Sequence, residues 1–188
     1  NVLTARSGMR TPEQARDEIA LTAASFEVSP GRTWRSLDDT TNQPIISSHG
    51  ASPEPWPSWQ RSYDYYPESD LIWLDADTKI RELSGDTKSL DNFARNFFGI
   101  ENGSYTANHY TFDDVVNALN AIQPYDWATF LRTRVETVGP APLDGLARAG
   151  WKLVYTDTPT PYLKGVEERN KSADFQYSLG FSVSSEGR

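Results

Sequence analysis

Apolar residues recur every three or four positions along most of this chain, between short stretches that carry helix caps and breakers. Thr11-Pro12-Glu13-Gln14 opens the first long run. Thr11 is placed to cap, Pro12 suits the first helical position, and Gln14 completes a capping box. Ala15, Ile19, Ala23 and Phe26 follow at helical spacing, and Pro30-Gly31 closes the run. Ahead of it, Val2 and Leu3 fit the end of an earlier helix. Ile72, Ala76, Ile80 and Leu83, joined by Leu71 and Trp73, predict a helix over residues 67–83 that Ser84-Gly85 stops. Ser89 starts the next, with Leu90, Phe93, Ala94 and Phe97 facing inward. Thr111-Phe112-Asp113-Asp114 caps a further one whose stripe is Phe112, Val115, Val116, Leu119 and Ile122. Asp126 caps another that carries Trp127, Phe130, Leu131 and Val138 before Gly139-Pro140, and a short helix near 143–149 ends at Gly150. Trp151, Leu153 and Tyr155 alternate, as do Phe175, Tyr177 and Leu179, which predicts strands. The expected fold class is mainly α, a helical array with a short β tail.

Between Arg32 and Arg61 the periodicity is lost, and Pro44, Pro53, Pro55 and Pro57 accumulate alongside Trp34, Trp56 and Trp59. Loops this long are uncommon in compact domains and are usually functional or disordered. Disordered segments are poor in aromatics, so three tryptophans argue for a packed loop. It delivers the chain to Ser62-Tyr63-Asp64-Tyr65-Tyr66-Pro67-Glu68-Ser69-Asp70, where three tyrosines and three acids crowd the mouth of the longest helix. Phenol hydroxyls at a helix mouth can donate hydrogen bonds to developing negative charge, as acyl transfer requires. The same rings can instead pack one helix end.

At 188 residues the chain suits one domain, with room for a piece of a second, and needs no covalent staples. It has no cysteine, which removes disulfides, thiolate zinc sites and a cysteine nucleophile. Lys+Arg of 18 against Asp+Glu of 26 gives a net charge of −8, and no basic cluster stands out. Nucleic-acid binding rests on concentrated positive charge, so a nucleic-acid partner is not expected. No apolar run approaches the roughly 20 residues of a membrane span, so no membrane partner is expected either. The chain begins at Asn1, as a mature product or an excised fragment would, and localisation is not readable from that start.

Only His49 and His109 are present, far apart and outside any HExxH, so no metal site is expected within this chain. Asp75, Asp77 and Asp86 suggest a calcium loop, but Lys79 and Ile80 stand where an oxygen ligand and a glycine belong. Phosphate-loop, dinucleotide and GxSxG motifs are absent. Asn102-Gly103-Ser104 and Asn170-Lys171-Ser172 match the glycosylation sequon, which is frequent by chance. A glycosidase using Asp64, Glu68 and Asp70 would need a defined carboxylate separation that sequence does not give.

The order of segments resembles peptidase family M61, the glycyl aminopeptidase-like zinc metallopeptidases. The matching pieces are Leu3-Thr4-Ala5-Arg6-Ser7-Gly8-Met9-Arg10-Thr11-Pro12-Glu13, Pro30-Gly31-Arg32, Tyr65-Tyr66-Pro67-Glu68-Ser69 and Leu71-Ile72-Trp73-Leu74-Asp75. Ile80-Arg81-Glu82, Ser89-Leu90-Asp91-Asn92-Phe93, Phe112-Asp113-Asp114-Val115, Pro124-Tyr125-Asp126-Trp127 and Ala149-Gly150-Trp151-Lys152-Leu153-Val154-Tyr155 continue it. The resemblance covers most of residues 1–163. It implies that this region is the helical C-terminal part of a thermolysin-like catalytic domain whose HExxH and glutamate ligand lie upstream. Residues 164–188 would then be a linker and the first strand of a truncated PDZ domain, entered at Tyr177–Val183. The implied cofactor is zinc in the intact parent enzyme, with none bound by this chain. The implied partners are a peptide substrate with a small N-terminal residue, the upstream half of the catalytic domain, and the downstream PDZ domain. A periplasmic or secreted parent is implied too. Related aminopeptidases use a tyrosine in a Tyr-Glu-x-Gly turn, which Tyr66-Pro67-Glu68-Ser69 resembles, with serine in place of glycine and proline displacing the acid. Tyr66 is therefore the expected oxyanion donor, with Tyr65 as the alternative. Glu68 would orient the tyrosine or hold the substrate amine, and Trp59 would help bind substrate. The alternative function is a non-catalytic module that binds a peptide or protein through its Trp/Tyr-rich loop.

Overall fold

A computed structural model describes residues 2–47, 60–101, 103–175 and 178–184. It is mainly helical and ends in a two-stranded antiparallel sheet. Helix α1 spans Val2–Arg6 and α2 spans Pro12–Val28, opened by the Thr11/Gln14 capping box that the sequence predicts. A 3-10 turn over Pro30–Thr33 leads into two short helices, α3 (Leu37–Thr40) and α4 (Gln43–Ser47). Residues 32–47 are thus not the structureless loop expected from their lost periodicity. These pieces are too short to show a stripe, and they are held from inside by buried Arg32, Arg35, Leu37 and Thr40. Trp56 and Trp59 lie outside the described residues, as does His49.

Helix α5, Tyr65–Ser84, is the axis of the molecule. It begins two residues earlier than the sequence suggests and takes both tyrosines into its first turn. Pro67 is tolerated there because the first backbone N–H groups of a helix have no intrahelical acceptor. Gly85 ends the helix in the left-handed region at φ 59°, where glycine carries no Cβ penalty. Helices α6 (Leu90–Phe98) and α7 (Phe112–Ile122) both open with capping boxes, Ser89/Asn92 and Thr111/Asp114. Helix α8 spans Trp127–Glu136, with the Asp126 side chain accepting from the Thr129 N–H.

Ile72, Ala76 and Ile80 of α5 meet Phe93, Leu119, Ile122, Trp127, Phe130 and Leu131 in the main core. Trp127 is fully buried, and its indole N–H donates to the Gln123 carbonyl at 2.7 Å. Leu71 turns to the other side and packs with Ala23 and Phe26 of α2. Helix α9, Asp144–Arg148, lies flush on α5, because a Cβ at Gly145 would fall 2.6 Å from the Asp75 Cα.

The C-terminal region departs most from expectation. Trp151, Leu153 and Tyr155 form no strand. Leu153 packs beside the α2–α5 cluster, the Tyr155 hydroxyl donates to Glu27 at 2.7 Å, and the Arg16 guanidinium sits over the Trp151 ring. Alternation here records an extended segment lying along helices, with no ladder partner among the described residues. Helix α10, Pro161–Asn170, follows, capped by Thr160. The sheet pairs β1 (Ser172–Asp174) with β2 (Ser182–Ser184). Phe175 and Leu179 belong to the connection between them, where the Phe175 carbonyl accepts from the Leu179 and Gly180 N–H groups. Tyr177 lies outside the described residues.

Candidate functional site

The first turn of α5 starts without the usual side-chain cap. Asp64 occupies the N-cap position in the αR region and caps nothing; its carboxylate instead accepts from Arg61 Nε at 2.8 Å. The turn is held from outside by three buried arginines. Arg32 Nε donates to Glu68 Oε1 at 2.8 Å, and Arg61 Nη2 pairs with Glu68 Oε2. Glu68 has no exposed surface, and both its oxygens are engaged. Arg61 Nη1 donates to the Arg35 carbonyl at 2.7 Å, while Arg35 Nη1 returns to the Arg61 carbonyl at 2.9 Å. The same Arg35 nitrogen reaches the Gln60 carbonyl at 3.0 Å and Gln43 Oε1 at 2.9 Å. Arg32 Nη2 goes on to the Arg134 carbonyl of α8 at 2.8 Å.

A planar guanidinium carries five donors in a fixed fork, which is why arginine and not lysine can serve several carbonyls and a carboxylate together. Arg61 adopts φ 57°, a left-handed conformation uncommon outside glycine and retained only where the surroundings over-determine it. Burial raises the Glu68 carboxyl above its ordinary value, against the opposing pull of the Arg32 and Arg61 charges.

The tyrosines fan out from this anchor. Tyr65 is half-buried and packs against the main core, with its ring centroid 6.2 Å from Tyr63 and 4.5 Å from Tyr66. Partial burial raises the Tyr65 phenol above its ordinary value, helped by contact with Tyr66, so it stays protonated to higher pH. Tyr66 is 69% exposed, at the rim of the turn. Ser69, where the resemblance has glycine, closes the turn by donating to the Tyr66 carbonyl at 2.7 Å.

Of the residues singled out from sequence, the structure brings Tyr65, Tyr66 and Glu68 onto one helical turn, while Trp59 lies outside the described residues. Sequence reasoning did not find Arg32, Arg35 and Arg61. Their partners lie 36, 26 and 7 positions away, beyond any local pattern. The only available signal was that Arg32 closes one of the quoted M61-like segments.

Among the described residues, no group of three or more metal-capable side chains is placed to hold a metal ion. The buried acids, Glu68 and Asp75, are each taken up by two arginines. These residues do not fit a zinc centre.

Residues 1–72 match the family model of the M61 glycyl aminopeptidases. The match runs from α1 into α5 and takes in the three arginines, both tyrosines and Glu68. Over these residues the match agrees with the resemblance carried by the sequence. Peptidases of this family are generally zinc enzymes. No curated protein sequence matches the chain.

Proposed function

We propose that this chain forms the oxyanion-binding wall of an M61-type aminopeptidase that removes small N-terminal residues, such as glycine or alanine, from peptides. The supporting observation is the exposed Tyr66 on the first turn of α5, inside the segment matched to M61. Acyl transfer to water builds negative charge on the scissile carbonyl oxygen, and a preorganised O–H donor beside that oxygen stabilises the transition state more than the ground state. Tyr66 projects its hydroxyl outward from a turn whose other side is pinned. Tyr65, half-buried against the core, has its ring centroid 4.5 Å from that of Tyr66. Glu68 is out of reach of a substrate amine and serves as the anchor of the turn. The metal that M61 chemistry implies is, in this reading, held by another part of the protein, and the substrate lies between that part and Tyr66.

Loss of one such donor commonly costs about 2.7–4 kcal/mol of transition-state stabilisation. In the full-length protein, Tyr66→Phe lowers kcat by more than roughly tenfold at unchanged metal content. Steady-state kinetics alongside elemental analysis make the measurement, and unchanged turnover would sink the assignment. The interaction-module reading draws on the exposed Trp34, Tyr63 and Tyr66, but the M61 match favours the peptidase.

A further inference from the structure

We propose that Arg61, Arg32 and Glu68 are positioning residues for the Tyr66 hydroxyl; this rests on Tyr66 being the oxyanion donor. Glu68 lies two positions beyond Tyr66, about 200° around the helix. Drawing Glu68 inward therefore turns Tyr66 outward, and any rotation of the helix start swings both side chains by the same angle. The usual local device, a side-chain N-cap, is missing. The N-cap carboxylate is diverted to Arg61, and the turn approaches through Arg61 in a left-handed conformation.

The angle is set instead by two forks that arrive from different parts of the chain. Arg32 comes from the 3-10 turn and is itself tied to α8 through the Arg134 carbonyl. Arg61 comes from the approach to α5 and is tied to the Arg35 carbonyl. A carboxylate that accepts from both forks has one orientation, and the tyrosine inherits it. Burying three charges is a poor way to gain stability, since apolar residues of similar volume often do as well. A directional hold on one side chain is what the apolar alternative would lose.

The test is a double-mutant cycle in the full-length enzyme, using Tyr66→Phe, Glu68→Gln and their combination. Expected for Glu68→Gln is a kcat lowered at least about tenfold with KM changed less than about twofold. The double variant should be no slower than Tyr66→Phe by more than about twofold, because a misplaced hydroxyl and a missing one are equivalent. If Glu68→Gln costs the same factor with and without the Tyr66 hydroxyl, the positioning role is overturned while the donor assignment stands. If Tyr66→Phe alone has no effect, the donor assignment falls and takes the positioning role with it.

Arg61→Lys is the second variant, keeping the charge and losing the fork, and the same split between kcat and KM is expected. If neither variant accumulates as folded protein by circular dichroism, the clamp is a stability device and the inference is overturned. Asp75→Asn is the control at the other arginine-held acid of α5, and an equal fall in its kcat would likewise overturn it. Fluorine NMR of 3-fluorotyrosine-labelled protein gives a readout without catalysis. The Tyr66 resonance, assigned by its loss in Tyr66→Phe, is expected to broaden or split in Glu68→Gln, and an unchanged line would count against the proposal.

Discussion

Helix α5 buries two carboxylates seven residues apart, each between two arginines, and the two clamps hold different kinds of chain. Glu68 gathers irregular segments: the 3-10 turn through Arg32 and the left-handed approach through Arg61. Asp75 gathers helices: Arg134 Nε of α8 donates to it at 2.6 Å, and Arg148 of α9 pairs with its other oxygen. Packing supports the second clamp independently. Gly145 seats α9 directly on the α5 backbone, and the Arg134 guanidinium lies 3.5 Å from the centre of the Phe130 ring. The first clamp joins shorter, irregular pieces, among which Leu37 is buried in the main core. Where helices already fit, an ion pair adds to the fit; where the chain is irregular, it decides the conformation.

The comparison can be broken or sharpened by experiment. The largest effect is expected from Asp75→Ala, which strands two partly buried arginines and should destabilise the fold by about 3–5 kcal/mol in urea unfolding. A loss below about 1 kcal/mol would mean that packing alone holds α8 and α9, which breaks the parallel with Glu68. Gly145→Ala should cost about 1–3 kcal/mol by overpacking, measured the same way, because the added methyl meets backbone and not a flexible side chain. A neutral result there would place α9 farther from α5 than described.

The smallest effect is a difference in sign with pH. Backbone N–H bonds hold the cap carboxylates Asp114 and Asp126 below their ordinary range. Their contribution is therefore present above the unfolded value near 3.9 and is lost as pH falls through the folded one. Glu68 is shifted upward by burial, so its linkage runs the other way: stability is lost as pH rises through its folded value, and acid does not remove it. Hydrogen exchange at decreasing pH should accordingly show α7 and α8 losing protection before residues 61–72. The opposite order would contradict the contrast.

The helices were legible because their signals are local. The helix starts at Thr11, Ser89 and Thr111 and the Ile72-Ala76-Ile80 stripe each need only neighbours in sequence, and each appears where the pattern places it. Helix α10 carried a comparable signal in Thr160-Pro161, obscured by the weakly apolar run behind it. Alternation at Trp151–Tyr155 misled, because a period of two describes any extended segment lying on a surface, not only a paired strand. The tyrosines were visible as a cluster, but their anchor was not. Arginines that bridge 36 positions leave no periodic trace, and only the order of segments hinted that Arg32 and Tyr66 belong to one unit.

Arg35 adds a different consequence. Its single Nη1 draws Gln43 and the Gln60–Arg61 backbone to one point, so two stretches far apart in sequence are tied together at the base of the tyrosine turn. Closing a loop over a fixed base costs little more as it lengthens, about 0.6 kcal/mol for each doubling. A change in chain length between those points is therefore expected to cost the tyrosine turn little. One guanidinium, and not the run of chain between them, closes the base on which the tyrosine turn stands.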